Sequence, residues 1–285
     1  MNVMRSFELS SKEFESIRRM VYDSIGVNLT DAKRSLVISR LSKRLRELNM
    51  EGFGEYIEFL KRDPDELHIL FNYITTNVTK FFREEHHFDY LENVFLPEHT
   101  EKYKRSNKRI RLRVWSAGCS TGEEPYTIAM ILSEYFGNPK THDIKIIASD
   151  INSETVEKAR EGLYKYEEVQ NIPRWMLKKY FKMGVGPNEG YFKVKDSLKE
   201  LIEFKLINLT SSQKYAIDSP LDVIFCRNVF IYFDRDTQRR ILERFYQHVV
   251  PDGLLFLGHS ESINNNNSDP KRWRLVKHTI YKKLG

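Results

Sequence analysis

The segment from Val114 to Tyr126, VWSAGCSTGEEPY, constrains the fold more than any other part of this chain. Its first residues end an apolar run and predict the end of a buried strand, and glycines bracket the loop that follows. An amphipathic helical pattern then begins at Pro125. A strand, a tight glycine-containing turn and a helix in this order are typical of the first unit of a nucleotide-binding α/β fold.

Two glutamates, Glu123 and Glu124, stand where the predicted helix begins. A free helix N-terminus attracts phosphate, because its unpaired N–H groups and its dipole favour negative charge. Two carboxylates at that position would instead repel a pyrophosphate and attract a cation or a sugar hydroxyl. The loop therefore favours a nucleoside without phosphates, such as S-adenosylmethionine with its positive sulfonium, over NAD or ATP. A plain tight turn in another kind of α/β protein is the alternative.

The composition limits the location and the partners of the protein. The formal net charge of +6 indicates an acidic partner, which nucleic acid, an anionic membrane or an acidic protein would satisfy. Residues 1–9 lack a signal-peptide core and no apolar stretch approaches the length of a membrane span, so we expect a cytoplasmic protein. The two cysteines, Cys119 and Cys226, form no CxxC pair, and the chain has no HExxH motif, so we expect no metal.

Residues 1 to about 90 have the pattern of an all-helical domain. Ser10 to Glu13 form a capping box that predicts a helix start, and Gly26 is placed to end that helix. A second, basic helix is predicted to begin at Thr30 and Asp31. The polar stretch from Pro97 to Lys108 is typical of a linker, so the predicted division is 1–90, a linker at 91–109, and 110–285.

Short apolar runs alternate with helical patterns after residue 109. This alternation predicts a mostly parallel sheet with helices on both faces, and Arg274–Lys283 predicts an antiparallel edge strand. A turn-rich stretch from Gly184 to Gly190, followed by Tyr191–Lys195, breaks the alternation and predicts a small β insertion at about 184–200. The predicted fold class is therefore α/β, with an all-α N-terminal domain and a small inserted β-subdomain.

Polar residues follow four of the predicted strands, at the edge of the sheet where open α/β folds bind ligands. The loop Ala117–Gly122 is the first of these positions. Asp150 ends the second strand, where a carboxylate can accept hydrogen bonds from both ribose hydroxyls. Asn208 and Leu209 come next, and the amide could reach an adenine edge. The last is Cys226–Phe233, which would bring Arg227, Asn228 and Tyr232 close to the reacting methyl group.

Several long segments resemble the chemoreceptor glutamate O-methyltransferases, the CheR family, in the right order and over nearly the whole chain. They are TTNVTKFFR (75–83), WSAGCSTGEEPY (115–126), ASDI (148–151), INL (207–209), FCRNVFIYF (225–233) and GHSE (258–261). The resemblance implies a Rossmann-like class I S-adenosylmethionine-dependent methyltransferase domain with a helical N-terminal domain and an inserted antiparallel β-subdomain.

The resemblance also implies which residues form the site. Cofactor contacts are expected from the helical side and from the sheet side, at Asn77, Thr79, Arg83, Glu124, Asp150, Asn208, Leu209, Arg227 and Asn228. Tyr232 and Arg83 are the expected catalytic residues, with Tyr232 placed near the transferred methyl. Without the resemblance, Asn77 and Thr79 would be interpreted as the end of a helix.

The activity implied by the resemblance is methyl transfer from S-adenosylmethionine to glutamate side chains in the cytoplasmic helical region of chemoreceptors, which leaves S-adenosylhomocysteine. We expect the basic helix to dock on the acidic receptor bundle through Arg40, Lys43, Arg44 and Arg46, although a cationic helix face is more often simply solvated. In some members of the family, the β insertion also binds a peptide at the receptor C-terminus by strand addition.

Three other functions compete with this interpretation. A methyltransferase acting on nucleic acid would suit the basic charge, but it would favour an Asn/Asp-Pro-Pro-Tyr motif where this chain has RNVFIY. A cofactor-binding signalling module without catalysis is disfavoured because every candidate binding position is filled. A dehydrogenase is disfavoured by the glutamates at the phosphate position.

Overall fold

The computed structural model describes residues 7–217, 220–263 and 272–285. Its first part is helical, as predicted. The bounds of these helices are α1 (Ser11–Ile25), α2 (Arg34–Glu47, preceded by a 3-10 turn at Asp31–Lys33), α3 (Phe53–Leu60) and α4 (Pro64–Ile74). The capping box at the start of α1 is formed, and Gly26 ends the helix in the left-handed conformation with a φ of 68°. Both of these predictions from the sequence are confirmed.

A buried ion pair fastens α2 to α4. The guanidinium of Arg44 donates to both carboxylate oxygens of Glu66, at 2.9 and 2.6 Å, and the Tyr56 hydroxyl donates to the same carboxylate at 2.9 Å. The side chain of Glu66 is only 2% exposed. Arg44 was expected to contact a receptor; that expectation stays a prediction, and the structure shows that its guanidinium pairs with a carboxylate inside the domain.

The segment that follows α4 belongs with the core of the sheet. It contains α5 (Glu85–Tyr90), a π-helical turn (Leu91–Phe95) and α6 (Leu96–Arg105). Most of the predicted linker is thus helical. Its buried residues Leu96 and His99 lie under a polar face, which explains why the composition resembles that of a linker. Phe81, Phe88 and Leu91 pack in the same apolar cluster as strand residues of the sheet. The domain division at 90 and 109 stays a prediction.

The remaining elements alternate strands with helices. In chain order they are β1 (Arg111–Ala117), α7 (Glu123–Phe136), β2 (Asp143–Asp150), α8 (Ser153–Glu161), β3 (Leu163–Lys165), α9 (Tyr166–Val169), α10 (Arg174–Tyr180), β4 (Phe181–Met183), β5 (Tyr191–Val194), α11 (Asp196–Lys199), β6 (Ile202–Leu206), β7 (Leu221–Cys226), α12 (Arg235–His248), β8 (Val249–Leu257), β9 (Trp273–Lys277) and β10 (Ile280–Lys283).

The described residues form a seven-stranded sheet in the order β6-β2-β1-β7-β8-β10-β9. The first five strands are parallel, and the last two pair antiparallel. The chain runs from β1 to β2 on one side and later returns to β7 on the other. The order therefore reverses between β1 and β7, and a crevice for ligands opens at the carboxyl ends of these two strands.

Two details of the strand predictions differ from the structure. The segment 274–283 forms two strands of a hairpin, β9 and β10, because Thr279 takes a left-handed turn conformation with a φ of 55°. The small antiparallel sheet has the order β3-β5-β4, so two of its strands precede the predicted range of 184–200. Each of those two strands has three residues, which is too short for an alternating pattern to predict.

None of the helices within the described ranges is long and apolar enough to cross a membrane. Across the same residues, no cluster of His, Cys, Asp and Glu side chains has an arrangement that could hold a metal ion.

The buried pair between Arg44 and Glu66 yields a prediction about stability. We expect Arg44→Ala to lower the free energy of unfolding by about 3–5 kcal/mol, because it leaves the Glu66 carboxylate buried without its partner. Urea denaturation measures the loss. The control is Lys43→Ala at the neighbouring exposed position, with an expected change within about 0.5 kcal/mol. Equal small losses in the two variants would contradict a structural role for Arg44.

Candidate active site

A cavity opens between the helical domain and the carboxyl ends of β1 and β7, at the reversal of strand order. All ten residues predicted to form the site line it, namely Asn77, Thr79, Arg83, Glu124, Asp150, Asn208, Leu209, Arg227, Asn228 and Tyr232. Its wall also includes apolar side chains from both domains, among them Val27, Leu29 and Ile207. The structure therefore brings together positions that lie far apart in the sequence.

The loop after β1 is held close to the end of β2. Gly118 has a φ of 89°, and a Cβ at this position would lie 2.4 Å from Cγ2 of Val229, so only glycine fits. Asp150 accepts hydrogen bonds from the backbone N–H groups of Ser120 at 2.9 Å and Asn152 at 3.0 Å. Burial raises the pKa of Asp150, and these N–H groups oppose the rise. A carboxylate accepts about four hydrogen bonds, so Asp150 keeps acceptor capacity toward the cavity.

Glu124 and Arg227 form a buried pair at the centre of the crevice. Arg227 donates to Glu124 at 3.0 Å, and the Ser116 hydroxyl donates to the other oxygen of Glu124 at 2.7 Å. The side chain of Arg227 is 2% exposed and that of Glu124 is 12% exposed. Burial raises the pKa of Glu124, and Arg227 opposes this rise. The carboxylate of Glu124 thus faces the cavity with its charge already paired.

Glu123 does not share this environment, although the sequence argument placed both glutamates at the ligand. Its carboxylate accepts from the Thr121 hydroxyl at 2.7 and 2.9 Å, and it is absent from the wall of the cavity. The difference arises because successive residues of a helix point about 100° apart, so only one of the two faces the ligand. Of the two glutamates, Glu124 therefore faces the cavity and Glu123 does not.

Arg83 is held between two residues in the left-handed conformation, Phe82 with a φ of 54° and Glu84 with a φ of 58°. Such geometry is costly for residues other than glycine and persists where the surroundings enforce it. Glu84 lies 3.3 Å from the guanidinium of Arg227, which also donates to the carbonyl of Arg83. The guanidinium of Arg83 donates to the carbonyl of Val78 at 2.8 Å.

Glu261 organises the loop after β7, and the sequence argument assigned it no role. It is 5% exposed, and its carboxylate accepts from the backbone N–H groups of Asn228 at 3.0 Å, Ile231 at 3.2 Å and Gly258 at 2.6 Å. These bonds hold Asn228 in the left-handed conformation, with a φ of 60°. A glutamate four residues after the buried strand β8, in the GHSE segment, is the signal that could have indicated this role.

Arg40 was expected, like Arg44, to contact the receptor; that expectation stays a prediction, and the structure gives Arg40 partners within the domain. Its guanidinium donates to the carbonyls of Tyr73, Ile74 and Thr75 at 3.2, 2.7 and 2.8 Å, and to the Thr76 hydroxyl at 3.1 Å. These carbonyls end α4, and a cation there satisfies groups that the helix leaves unpaired. Arg40 thereby fixes the chain that continues into the cavity wall at Asn77.

Comparison with known protein families identifies the family of this chain. The family model described as "CheR methyltransferase, SAM binding domain" matches residues 77–280, and the model described as "CheR methyltransferase, all-alpha domain" matches residues 12–75. The chain belongs to the CheR methyltransferase family. S-adenosylmethionine is therefore the cofactor of this CheR-family chain, and its activity is methyl transfer.

Individual relatives agree with this assignment. The chain is 42% identical to the chemotaxis protein methyltransferase of Escherichia coli strain K12, over 96% of this chain and 91% of that protein. It is 43% identical to chemotaxis protein methyltransferase 2 of Pseudomonas aeruginosa, over 91% of this chain and 89% of that protein. These relatives connect the methyl transfer with chemotaxis, and they do not favour the alternative of a nucleic-acid substrate.

The cavity of this CheR-family chain fits an adenosine cofactor. Among the described residues, the side chains of Asn77 and Thr79 have no hydrogen-bond partner, so they are available to a ligand. Asn208 is more committed: its oxygen accepts from the Thr210 N–H at 2.9 Å and hydroxyl at 2.8 Å, and its nitrogen donates to the carbonyl of Ser24 at 2.8 Å. One amide hydrogen of Asn208 is available to a ligand.

The inserted small sheet of this CheR-family chain contacts the loop Ala117–Gly122 through Tyr164. This buried side chain donates from its hydroxyl to the carbonyl of Thr121 at 2.6 Å, beside the bond from Thr121 to Glu123. A Cβ on Gly122 would come within 2.9 Å of the Tyr164 hydroxyl oxygen, so the approach of the two segments depends on this glycine. The loop is therefore braced from the small sheet as well as from β2.

The position of Glu123 yields a prediction about pH. Burial raises the pKa of Glu123 to about 7 from an ordinary value of 4.5. A carboxyl with a higher pKa in the folded than in the unfolded protein makes folding less favourable as the pH rises through this interval. We expect Glu123→Gln, which does not titrate, to gain stability relative to wild type by up to about 3 kcal/mol between pH 5 and pH 8.

Urea denaturation at several pH values measures this difference for Glu123→Gln, and exposed Glu161→Gln is the control. A parallel pH dependence of wild type and Glu123→Gln would show that Glu123 is ionised in the folded protein at neutral pH, contrary to the prediction.

Proposed function

We propose that this enzyme methylates glutamate side chains in the cytoplasmic helical region of chemoreceptors and forms glutamyl methyl esters. The observation that carries the proposal is the convergence on one cavity of all ten residues that the family resemblance implied. The relatives named as chemotaxis methyltransferases support a receptor as the substrate.

The chemistry of such a substrate requires placement more than proton transfer. A glutamate carboxylate is already ionised at neutral pH, so no general base is needed. The bound S-adenosylmethionine supplies a methyl group that its sulfonium charge activates. The protein has to hold the carboxylate oxygen in line with the methyl carbon and exclude water, because the opposite charges of the two reactants vanish in the transition state.

Each lining residue has a role in this proposal. Asp150 accepts hydrogen bonds from the ribose hydroxyls, and Asn208 and Leu209 face the adenine. Asn77, Thr79 and Arg83 cover the cofactor from the helical side, while Glu124, Arg227 and Asn228 form the floor of the site. Tyr232 lines the slot for the incoming carboxylate, with its hydroxyl 3.3 Å from the carbonyl of Thr76.

The basic surface that we propose for receptor docking is smaller than the one expected from the sequence. Of the four cations expected to meet the acidic bundle, Lys43 and Arg46 are exposed on α2. Arg40 and Arg44 are engaged inside the domain. We therefore propose that Lys43 and Arg46 contact the receptor, and that the other two position the elements behind them.

The small sheet offers a second contact for the receptor. Among the described strands, β3 and β4 each pair only with β5, so each has an outer edge that can accept a further strand. The faces around these edges carry exposed Leu163, Met183 and Tyr191 beside lysines. We propose that a peptide at the receptor C-terminus adds to one of these edges, since backbone hydrogen bonds and alternate side chains support such binding.

Transfer of a labelled methyl group tests the proposed function. We expect incubation with methyl-labelled S-adenosylmethionine to label a receptor cytoplasmic fragment, and alkali to release the label as methanol, because a glutamyl ester is base-labile. A fragment with glutamine at its glutamate sites is the control, and a fragment without its C-terminal peptide tests the second contact. Alkali-stable label, or label transferred to added RNA or DNA and not to the fragment, would contradict the proposal.

The role of Asp150 is tested by titration calorimetry with the cofactor. We expect Asp150→Ala to weaken binding by about tenfold to hundredfold, because it removes acceptors for the ribose and for the loop at Ser120. Asp143→Ala is a matched control at the opposite end of the same strand, where we expect no loss of affinity. An undiminished affinity of Asp150→Ala for the cofactor would contradict the proposed role of Asp150 in binding the ribose.

A further inference from the structure

A site for a substrate carboxylate needs a cation whose charge is not already neutralised by the protein. Arg227 does not meet this condition, since Glu124 and Glu84 lie at 3.0 and 3.3 Å from its guanidinium. Arg40 is taken up by four oxygens at the end of α4. Lys80 is exposed at the rim of the cavity, where solvent screens its charge.

We infer that Lys33 binds the substrate carboxylate and positions it beside Tyr232. This inference rests on the proposed function. Lys33 ends the 3-10 turn before α2 and lines the same cavity as Tyr232. Its ammonium nitrogen lies 5.2 Å from the centroid of the Tyr232 ring. Within the described ranges, the ammonium has no ion pair and no hydrogen bond, so its donors are available to a ligand.

The surroundings of Lys33 favour an anion. The side chain is half-buried, and burial together with the nearby charge of Arg40 lowers the pKa of its ammonium. A cation that has lost part of its hydration and faces another cation is stabilised by an incoming carboxylate. The hydroxyl of Tyr232 is bound only at 3.3 Å to the carbonyl of Thr76, and it can turn to donate to the same carboxylate.

The charge of Lys33 also distinguishes the substrate from the cofactor. An ammonium repels the sulfonium of S-adenosylmethionine and attracts a carboxylate, and the inference assigns Lys33 to the carboxylate of the substrate and not to that of the cofactor's methionine part. Removal of the Lys33 charge should therefore leave the affinity for the cofactor unchanged and lower kcat/KM for the receptor fragment. Arg83, a further cation of the cavity wall, donates to the carbonyl of Val78 and is assigned to the cofactor in the proposed function.

The experiment compares full-length wild type, Lys33→Ala, Lys33→Gln and Lys33→Arg in steady-state methylation of the receptor fragment. For Lys33→Ala and Lys33→Gln, we expect kcat/KM for the fragment to fall by about tenfold to hundredfold, mainly through KM. Lys33→Arg should recover most of the loss, and calorimetric affinity for S-adenosylmethionine should be unchanged in all three. Lys104→Ala, an exposed lysine on α6, is the control for a general charge effect.

Three outcomes would overturn the inference. The first is an unchanged kcat/KM in Lys33→Ala and Lys33→Gln, with labelling by the wild type intact. The second is a loss of cofactor affinity that matches the loss of activity, which would make Lys33 a cofactor residue. The third is a failure of Lys33→Arg to recover activity while it folds and binds cofactor. Absence of ester formation by the wild type itself would instead overturn the proposed function, and the inference with it.

Discussion

The guanidinium of Arg227 is the interaction on which the rest of the site depends. It contacts Glu124 from the first turn of α7, Glu84 from the segment before α5, and the carbonyl of Arg83. Three elements that are distant in sequence are therefore fixed at the reversal of strand order. Removing a cation from such a place would leave two buried carboxylates without compensation, which is more costly than losing an exposed ion pair.

The helical domain contributes one wall of the cavity, and basic residues that the sequence suggested as a docking surface hold this wall in place. Arg40 fixes the end of α4, and from there the chain passes through Thr76 and Asn77 across the cavity. Asn208, after β6, is bonded to the carbonyl of Ser24 in α1. Both walls of the cavity are thus connected to the helical domain by partly buried hydrogen bonds, which help to specify one geometry.

The sequence predicted which residues would meet in the cavity but not the partners of its charged groups. A polar residue directly after an apolar strand has to lie at the edge of the sheet, so Asp150, Asn208 and Arg227 could be placed from pattern alone. The burial of Glu66 at 2% exposure depends on the packing of α2 against α4, which no local pattern contains. The role of Arg44 was therefore out of reach of sequence reasoning.

Buried carboxylates surround the cavity, and the protein stabilises each of them differently. Backbone N–H groups support Asp150 and Glu261, a guanidinium supports Glu124, and Glu123 has the Thr121 hydroxyl and its own backbone N–H. Burial disfavours the charged form of a carboxyl group. Hydrogen-bond donors and nearby positive charges favour the charged form and so oppose the effect of burial. The acids with several donors fix the loops at Ser120 and Asn228, beside or in the cavity wall. Glu123, with the weakest support, lies outside the cavity wall, where a change of its protonation leaves the bonds of the reacting groups intact.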